Sequence, residues 1–126
     1  MKYLVVPGLP TVADHIIENV AFEYNKISLQ KEGYEVTPHN IKGKVRKRYI
    51  TEARQVSMFL INKHCRIRNT KRMALKSIGD MFGNRGHATV IHSIKVIDRL
   101  KDNPYQLLIN KETFNNLLKT QNHGGN

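Results

Sequence analysis

One tetrapeptide, Gly83-Asn84-Arg85-Gly86, separates two runs of apolar residues that recur at helical spacing. Before it, Met73, Leu75, Ile78, Met81 and Phe82 mark a short helix closed by Gly83. After it, Val90, Ile91, Ile94, Ile97 and Leu100 mark a longer one, stopped by Asn103 and Pro104. So short a link, with two glycines, forces the helices to meet as a tight corner. That is the geometry of a helix-turn-helix, expected at about residues 72–101.

The remaining chain reads as helices too. Pro10 and Thr11 open a first helix, with Asp14 in a near capping-box position. Val12, Ile16, Ile17, Val20, Ala21 and Tyr24 supply its buried face, and Asn25 to Gln30 are expected to continue as a short second helical turn. KEGYEVTPHNIKG, with Gly33, Pro38 and Gly43, is expected to be a loop. Thr51 signals the next helix, with Ala53, Val56, Phe59 and Leu60 on its buried side and its end near His64. RIRNTKR reads as a polar link, and Phe114, Leu117 and Leu118 as a last helix. No alternating strand pattern appears, so the fold class is all-α, a multi-helix domain containing a helix-turn-helix. The expected organisation is an N-terminal extension over 1–10, one domain over 11–120 and a frayed tail over 121–126.

Charge is segregated along the chain. The net charge is +11, and the segment Lys42 to Lys76 carries twelve basic residues against one acid, Glu52, so it holds the whole excess. A localised excess of this kind suits a phosphate-rich partner. The single cysteine, Cys65, excludes an internal disulfide framework and suits a reducing compartment, and His64 beside it reads as packing. No apolar run reaches the length of a membrane span, so a cytoplasmic, nucleoid-associated protein without membrane contact is expected. No GxxxxGK[ST] phosphate loop occurs, and the length leaves no room for an ATPase domain. Asp80, Asp98 and Asp102 do not cluster, so no catalytic residues and no enzymatic activity are expected. His87 and His92 do not share a helix face and lack a completing Cys or Asp, so neither a metal nor another cofactor is expected.

The helix after the turn has an unusual outward face. On a wheel of about 100° per residue, Val90, Ile94 and Ile97 cluster with Ile91 on their flank. Ala88, Thr89, His92 and Val96 fall opposite, with Ser93 and Lys95 at the margins. Small and hydrogen-bonding groups near a helix N-terminus suit the edges of bases in a major groove.

Here the sequence resembles a known family. IGDMFGNRGHATVIHSIKVI is similar to the signature of the C-terminal DNA-binding domain (domain IV) of DnaA, the bacterial replication initiator. KGKVRKRYITEARQVSMFL is similar to that domain's basic loop and following helix, and a weaker similarity runs through ENVAFEYNKI and FNNLL. The resemblance implies duplex DNA as partner, with replication proteins beside it, and a stand-alone reader without ATPase activity.

The resemblance also implies roles for particular residues. Arg46, flanked by Lys44, Lys47 and Arg48, matches the basic-loop arginine that enters the minor groove. Arg54 and Gln55 match residues near a helix start that hold the backbone, and Leu75, followed by Lys76, opens the first helix of the motif. Arg85 and Gly86 lead into His87, Ala88 and Thr89, which stand at the family's major-groove contacts, with His92 one turn later. The family's usual Asp is Gly86 here, its residue after the histidine is Ala88, and its Leu-Pro is Leu75-Lys76. A preference for the usual DnaA box therefore does not follow. A protein-interaction module, or a nonspecific DNA clamp that keeps the fold without base readout, stays open as the second reading.

Overall fold

The computed structural model describes residues 12–67, 71–103 and 106–120. Six helices follow one another: α1 (Val12–Lys31), α2 (Pro38–Lys42), α3 (Arg48–His64), α4 (Leu75–Met81), α5 (His87–Leu100) and α6 (Lys111–Thr120). Between α3 and α4 a two-stranded antiparallel ladder, β1 (Arg66–Ile67) and β2 (Lys71–Arg72), pairs Arg66 with Arg72 and Ile67 with Lys71. The fold is all-helical in class, and this two-residue ladder turns the basic link of the sequence into a hairpin. Alternation cannot announce a strand of two residues.

Helix α3 is the centre of the molecule. It packs against α1 on one side and α5 on another, and α2 and α4 also lean on it. Tyr49, Ile50, Ala53, Val56, Met58, Phe59, Leu60 and Ile61 are all buried, which leaves little of its circumference for water. It begins at Arg48, with Lys47 as an N-cap that makes no side-chain bond. The start expected at Thr51 is therefore three residues late. Burial of Tyr49 and Ile50 extends the helix backwards past a residue that only looks like a cap.

Two other expectations are corrected. Helix α1 runs unbroken to Lys31, because Ser28 continues the buried face and its hydroxyl donates to the Tyr34 carbonyl at 2.7 Å. It then stops where Gly33 takes φ +78° and the Glu32 and Gly33 amides both donate to the Ser28 carbonyl. The expected loop that follows contains α2, closed by a capping box. The Thr37 hydroxyl accepts from the Asn40 amide at 3.1 Å, and the Asn40 side chain accepts from the Thr37 amide at 3.2 Å. The readings at Pro10 and Thr11, the extension and the tail lie outside the described residues.

A buried polar knot ties the ends of the chain to this centre. The Tyr24 hydroxyl of α1 and the Leu108 amide both donate to Glu52 Oε2 of α3, at 2.7 and 2.8 Å. Burial raises the Glu52 carboxyl above its ordinary pKa, even though both hydrogen bonds pull the other way. Its raised folded pKa means that the native state loses stability as pH rises from the unfolded value through the folded one. Glu52→Gln keeps an acceptor without the charge, so its urea-unfolding free energy should vary less with pH across that interval than the parent's. Equal pH slopes would show that burial does not raise the carboxyl's pKa in the folded state.

Candidate nucleic-acid interface

The corner between α4 and α5 is fixed by backbone contacts before any side chain matters. The amides of Phe82 and Arg85 both donate to the Gly79 carbonyl, at 3.1 and 2.9 Å. Gly83 (φ +78°) and Asn84 (φ 59°) make the left-handed reversal, which glycine and asparagine tolerate best. A Cβ on Gly79 would lie 2.0 Å from the Arg85 carbonyl oxygen, so only glycine lets the turn fold back on α4. The sequence reading passed over Gly79. Its signal was a glycine inside an otherwise helical pattern, four residues before the turn.

Helix α5 then starts at His87 with Gly86 as N-cap, and no side chain caps it. Its first-turn amides are therefore left without a side-chain acceptor, at the positive end of the helix dipole. His87, Ala88, Thr89, Ile91, His92 and Lys95 are exposed on it, while Val90, Ser93 and Ile97 are buried. The wheel is thus corrected at its edges. Ser93 turns inward, Ile91 is 36 % exposed, and Val96 is half-buried rather than outward. Ile91, expected on the flank of the apolar cluster, and Lys95, expected at the margin, join the outward face.

The basic loop lies beside this corner. Arg54 of α3 is only 5 % exposed, and its guanidinium donates to two carbonyls at the end of α2, Ile41 at 2.7 Å and Asn40 at 3.0 Å, and to one of the basic loop, Val45 at 3.0 Å. Burial, with the nearby charge of Arg85, lowers its pKa to about 10, so it stays a cation at neutral pH. Arg85 Nη2 donates to the Gly43 carbonyl at 2.9 Å across 42 residues of sequence. The Gly83 side of the turn also rests against the Lys42 carbonyl, 3.3 Å from where a Cβ would stand. The loop and the helix-turn-helix therefore form one surface, with Arg54 beneath it and Arg85 across the seam.

On that surface Lys44, Val45, Arg46 and Lys47 are exposed. Lys44, Arg46 and Lys47 have no carboxylate within ion-pair distance among the described residues, although Lys47 sits over the Tyr34 ring at 4.6 Å. Arg48, by contrast, is paired with Glu32 at 3.1 Å, and Lys76 with Asp80 at 3.3 Å. Gln55 and Leu75 are half-buried, Leu75 against the core. The part of the basic link from 68 to 70 lies outside the described residues. Cys65 is buried and its thiol is pushed up to about 11 by desolvation and Asp14, which makes it inert packing. No group of three or more His, Cys, Asp or Glu among the described residues could hold a metal ion, and none of the helices they form is long and apolar enough to cross a membrane.

This geometry can now be set beside known proteins. The family model for the bacterial dnaA protein helix-turn-helix matches residues 13–97, which takes in α1 to α5 almost whole. The chain belongs to the bacterial DnaA helix-turn-helix family. Among relatives, it is 30 % identical over 92 residues to the chromosomal replication initiator protein DnaA of Flavobacterium psychrophilum, covering 71 % of this chain and 18 % of that protein. It is 29 % identical over 108 residues to the same-named protein of Picosynechococcus sp., covering 79 % and 23 %, and 32 % identical over 81 residues to that of Crocosphaera subtropica, covering 64 % and 16 %. The chain spans less than a quarter of the length of these DnaA proteins.

Arg54 is the member of this DnaA-type surface whose loss should be felt in the fold itself. Arg54→Met strips three carbonyls, one buried and two part-buried, of their donor, and should lower the free energy of unfolding by about 3 kcal/mol. Urea denaturation measures this, and a loss under about 1 kcal/mol would show that water replaces the guanidinium at no cost.

Proposed function

We propose that this DnaA-family chain binds double-stranded DNA with a sequence preference, in replication initiation or its regulation. Helix α5 docks in the major groove, and the Lys44–Arg48 loop follows the adjacent minor groove. The observation that carries the reading is the Arg85–Gly43 bond. It locks an uncapped helix end, bearing His87, Ala88 and Thr89, beside cations that have no carboxylate partner in the described fold.

The parts divide by chemistry. The α5 amides and Lys44 and Lys47 suit phosphate oxygens, and counterion release from the duplex supplies most of the affinity. Arg46 suits a narrow A·T-rich groove, whose potential favours a guanidinium. Thr89 and His87 present donors and acceptors to base edges, while Ala88 and Ile91 suit thymine methyls. Arg54, spent on carbonyls, acts by shaping the loop rather than by touching DNA. Arg48 and Lys76 reach phosphate only by leaving Glu32 and Asp80, which exposed pairs do at little cost.

Selection from a random duplex library at near-physiological salt, with DnaA-box controls, tests the whole reading. A recovered motif is expected; binding that falls steeply with salt and ignores sequence would leave only a nonspecific clamp. Arg46→Ala should weaken binding and flatten any A·T preference, whereas unchanged affinity and preference would remove the loop from the minor groove. Thr89→Val should lose about 1–3 kcal/mol on the preferred site and much less on others. An equal loss on every sequence would demote Thr89 to a backbone contact.

Gly86 offers a gain-of-function test. Nothing lies within 4 Å of a Cβ there and its φ is −77°, so Gly86→Asp fits without strain. An aspartate at this N-cap should add a few tenths of a kcal/mol of stability. It should also move the selected motif toward the usual DnaA box, since it restores the carboxylate the family carries at that position. A motif that does not move would show that this residue does not contact bases here.

A further inference from the structure

Helix α1 leaves two large apolar side chains in water, Phe22 at 64 % and Leu29 at 47 % exposure. With His15, Glu18 and Lys26 they form a stripe roughly 80° wide on a wheel of about 100° per residue. The stripe lies opposite the buried Ile16, Val20, Tyr24 and Ser28. Helix α1 packs mainly on α3, and this face lies opposite the residues it buries. Among the described residues, the other exposed large apolar side chains, Val45 and Ile91, belong to the loop and to α5, apart from Phe22 and Leu29 on α1.

The patch is self-complementary. Glu18 and Lys26 stand four residues before and after Phe22, on one ridge of the helix, and both are more than half exposed. Turned end for end, a ridge that reads acid, aromatic, base matches its own copy. Beside it runs a cleft of about 120 Å³ between α1 and α6, lined by Asn19, Phe22, Glu23, Asn116 and Leu117. Its α1 wall is formed by Phe22 of that ridge and by Asn19 and Glu23 of the neighbouring row, and its α6 wall by Asn116 and Leu117. Its size is of the order of a site that takes one benzene ring, roughly 150 Å³.

We propose that two copies of this chain associate through α1, running antiparallel about a two-fold axis near Phe22. Each Phe22 ring enters the other copy's cleft, and Glu18 of each copy meets Lys26 of the other at the two ends. Interdigitated ridges of this kind cross at about −50°, which brings the oppositely inclined rows into line. In the single chain Lys26 is held by Glu23 at 2.8 Å and lies 4.6 Å over the Phe22 ring, and Glu18 faces His15 at 3.6 Å. These are exposed pairs one helical turn apart, weak enough to be exchanged for the pairs between copies. One helix face per copy gives a small interface, so the association is weak and concentration-dependent. It does not rest on the DNA-binding reading.

Analytical ultracentrifugation of the full chain, from roughly ten micromolar to roughly one millimolar, covers the range expected of such an interface. A monomer–dimer equilibrium is expected. Phe22→Ser should weaken dimerisation about tenfold or more. Glu18→Lys and Lys26→Glu should each weaken it alone, because like charges then face each other at both ends. A mixture of these two variants should recover the dimer, because both ends then pair opposite charges. All three positions are exposed, and circular dichroism confirms that each variant is folded. A monomer at every concentration, a dimer indifferent to Phe22→Ser and both reversals, or no recovery on mixing would overturn the proposal.

Discussion

The buried guanidinium of Arg54 is the contact on which the outer surface depends. A loop with several like charges would spread in water, since its cations repel one another and its backbone carbonyls are satisfied as well by solvent. Three charge-assisted bonds from one planar group, to Asn40, Ile41 and Val45, fold that loop down on α3. A lysine has the charge but not the fixed fork, and would not hold three carbonyls from one side. Burying this cation opposes its own ionisation, as its lowered pKa records. The stabilisation comes from the carbonyl dipoles and not from a counter-ion, which leaves the positive potential of the loop uncancelled.

A second constraint works on the other side of the seam. Gly79, Gly83 and Asn84 hold the corner at a curvature that brings Arg85 back over α4, and from there its side chain reaches Gly43. The bond is local in space and remote in sequence, so neither the loop nor the corner could be positioned by its own residues alone. The core behind them supplies the rigid base: Ile78, Phe82, Val90 and Ile97 are buried with the apolar face of α3. Packing, turn geometry and two arginines thus agree on one arrangement, and the charged loop is rigid where a sequence of its composition would otherwise be mobile.

What the sequence disclosed, and what it hid, follows from the range of each interaction. The helices with strong stripes, α3, α5 and α6, were legible because 3.6-residue periodicity is written in consecutive residues. The positions of His87, Ala88 and Thr89 on an exposed face were legible for the same reason. Ser93 and Ile91 were misplaced because a wheel fixes angles but not where a neighbouring helix covers them. Helix α2 was read as a loop because five residues carry no period, and its local signatures are confined to its start, the Thr37–Asn40 capping box and Pro38 at the first helical position. The three roles least visible were those of Gly79, Arg54 and Arg85, since each is defined by a carbonyl that another segment supplies. Family resemblance placed Arg54 and Arg85 in the functional surface, yet only the fold separates a residue that shapes the loop from one that spans the seam.

Joining the loop to the corner matters for recognition in a way that neither piece supplies. Two binding elements on a flexible tether each lose freedom separately on docking, whereas a preset pair loses it once. The effective concentration of the second element then depends on how well its position matches the spacing of adjacent grooves. In this chain that position is set by the 2.9 Å Arg85–Gly43 bond and the three bonds from Arg54. Departures at Gly86 and Ala88 remove side-chain atoms from the reading face without touching this frame. On the DNA-binding reading proposed above, base preference would drift at those two positions while the docking geometry stays constant, because the frame is held by Arg54 and Arg85 and not by the exposed residues at the start of α5.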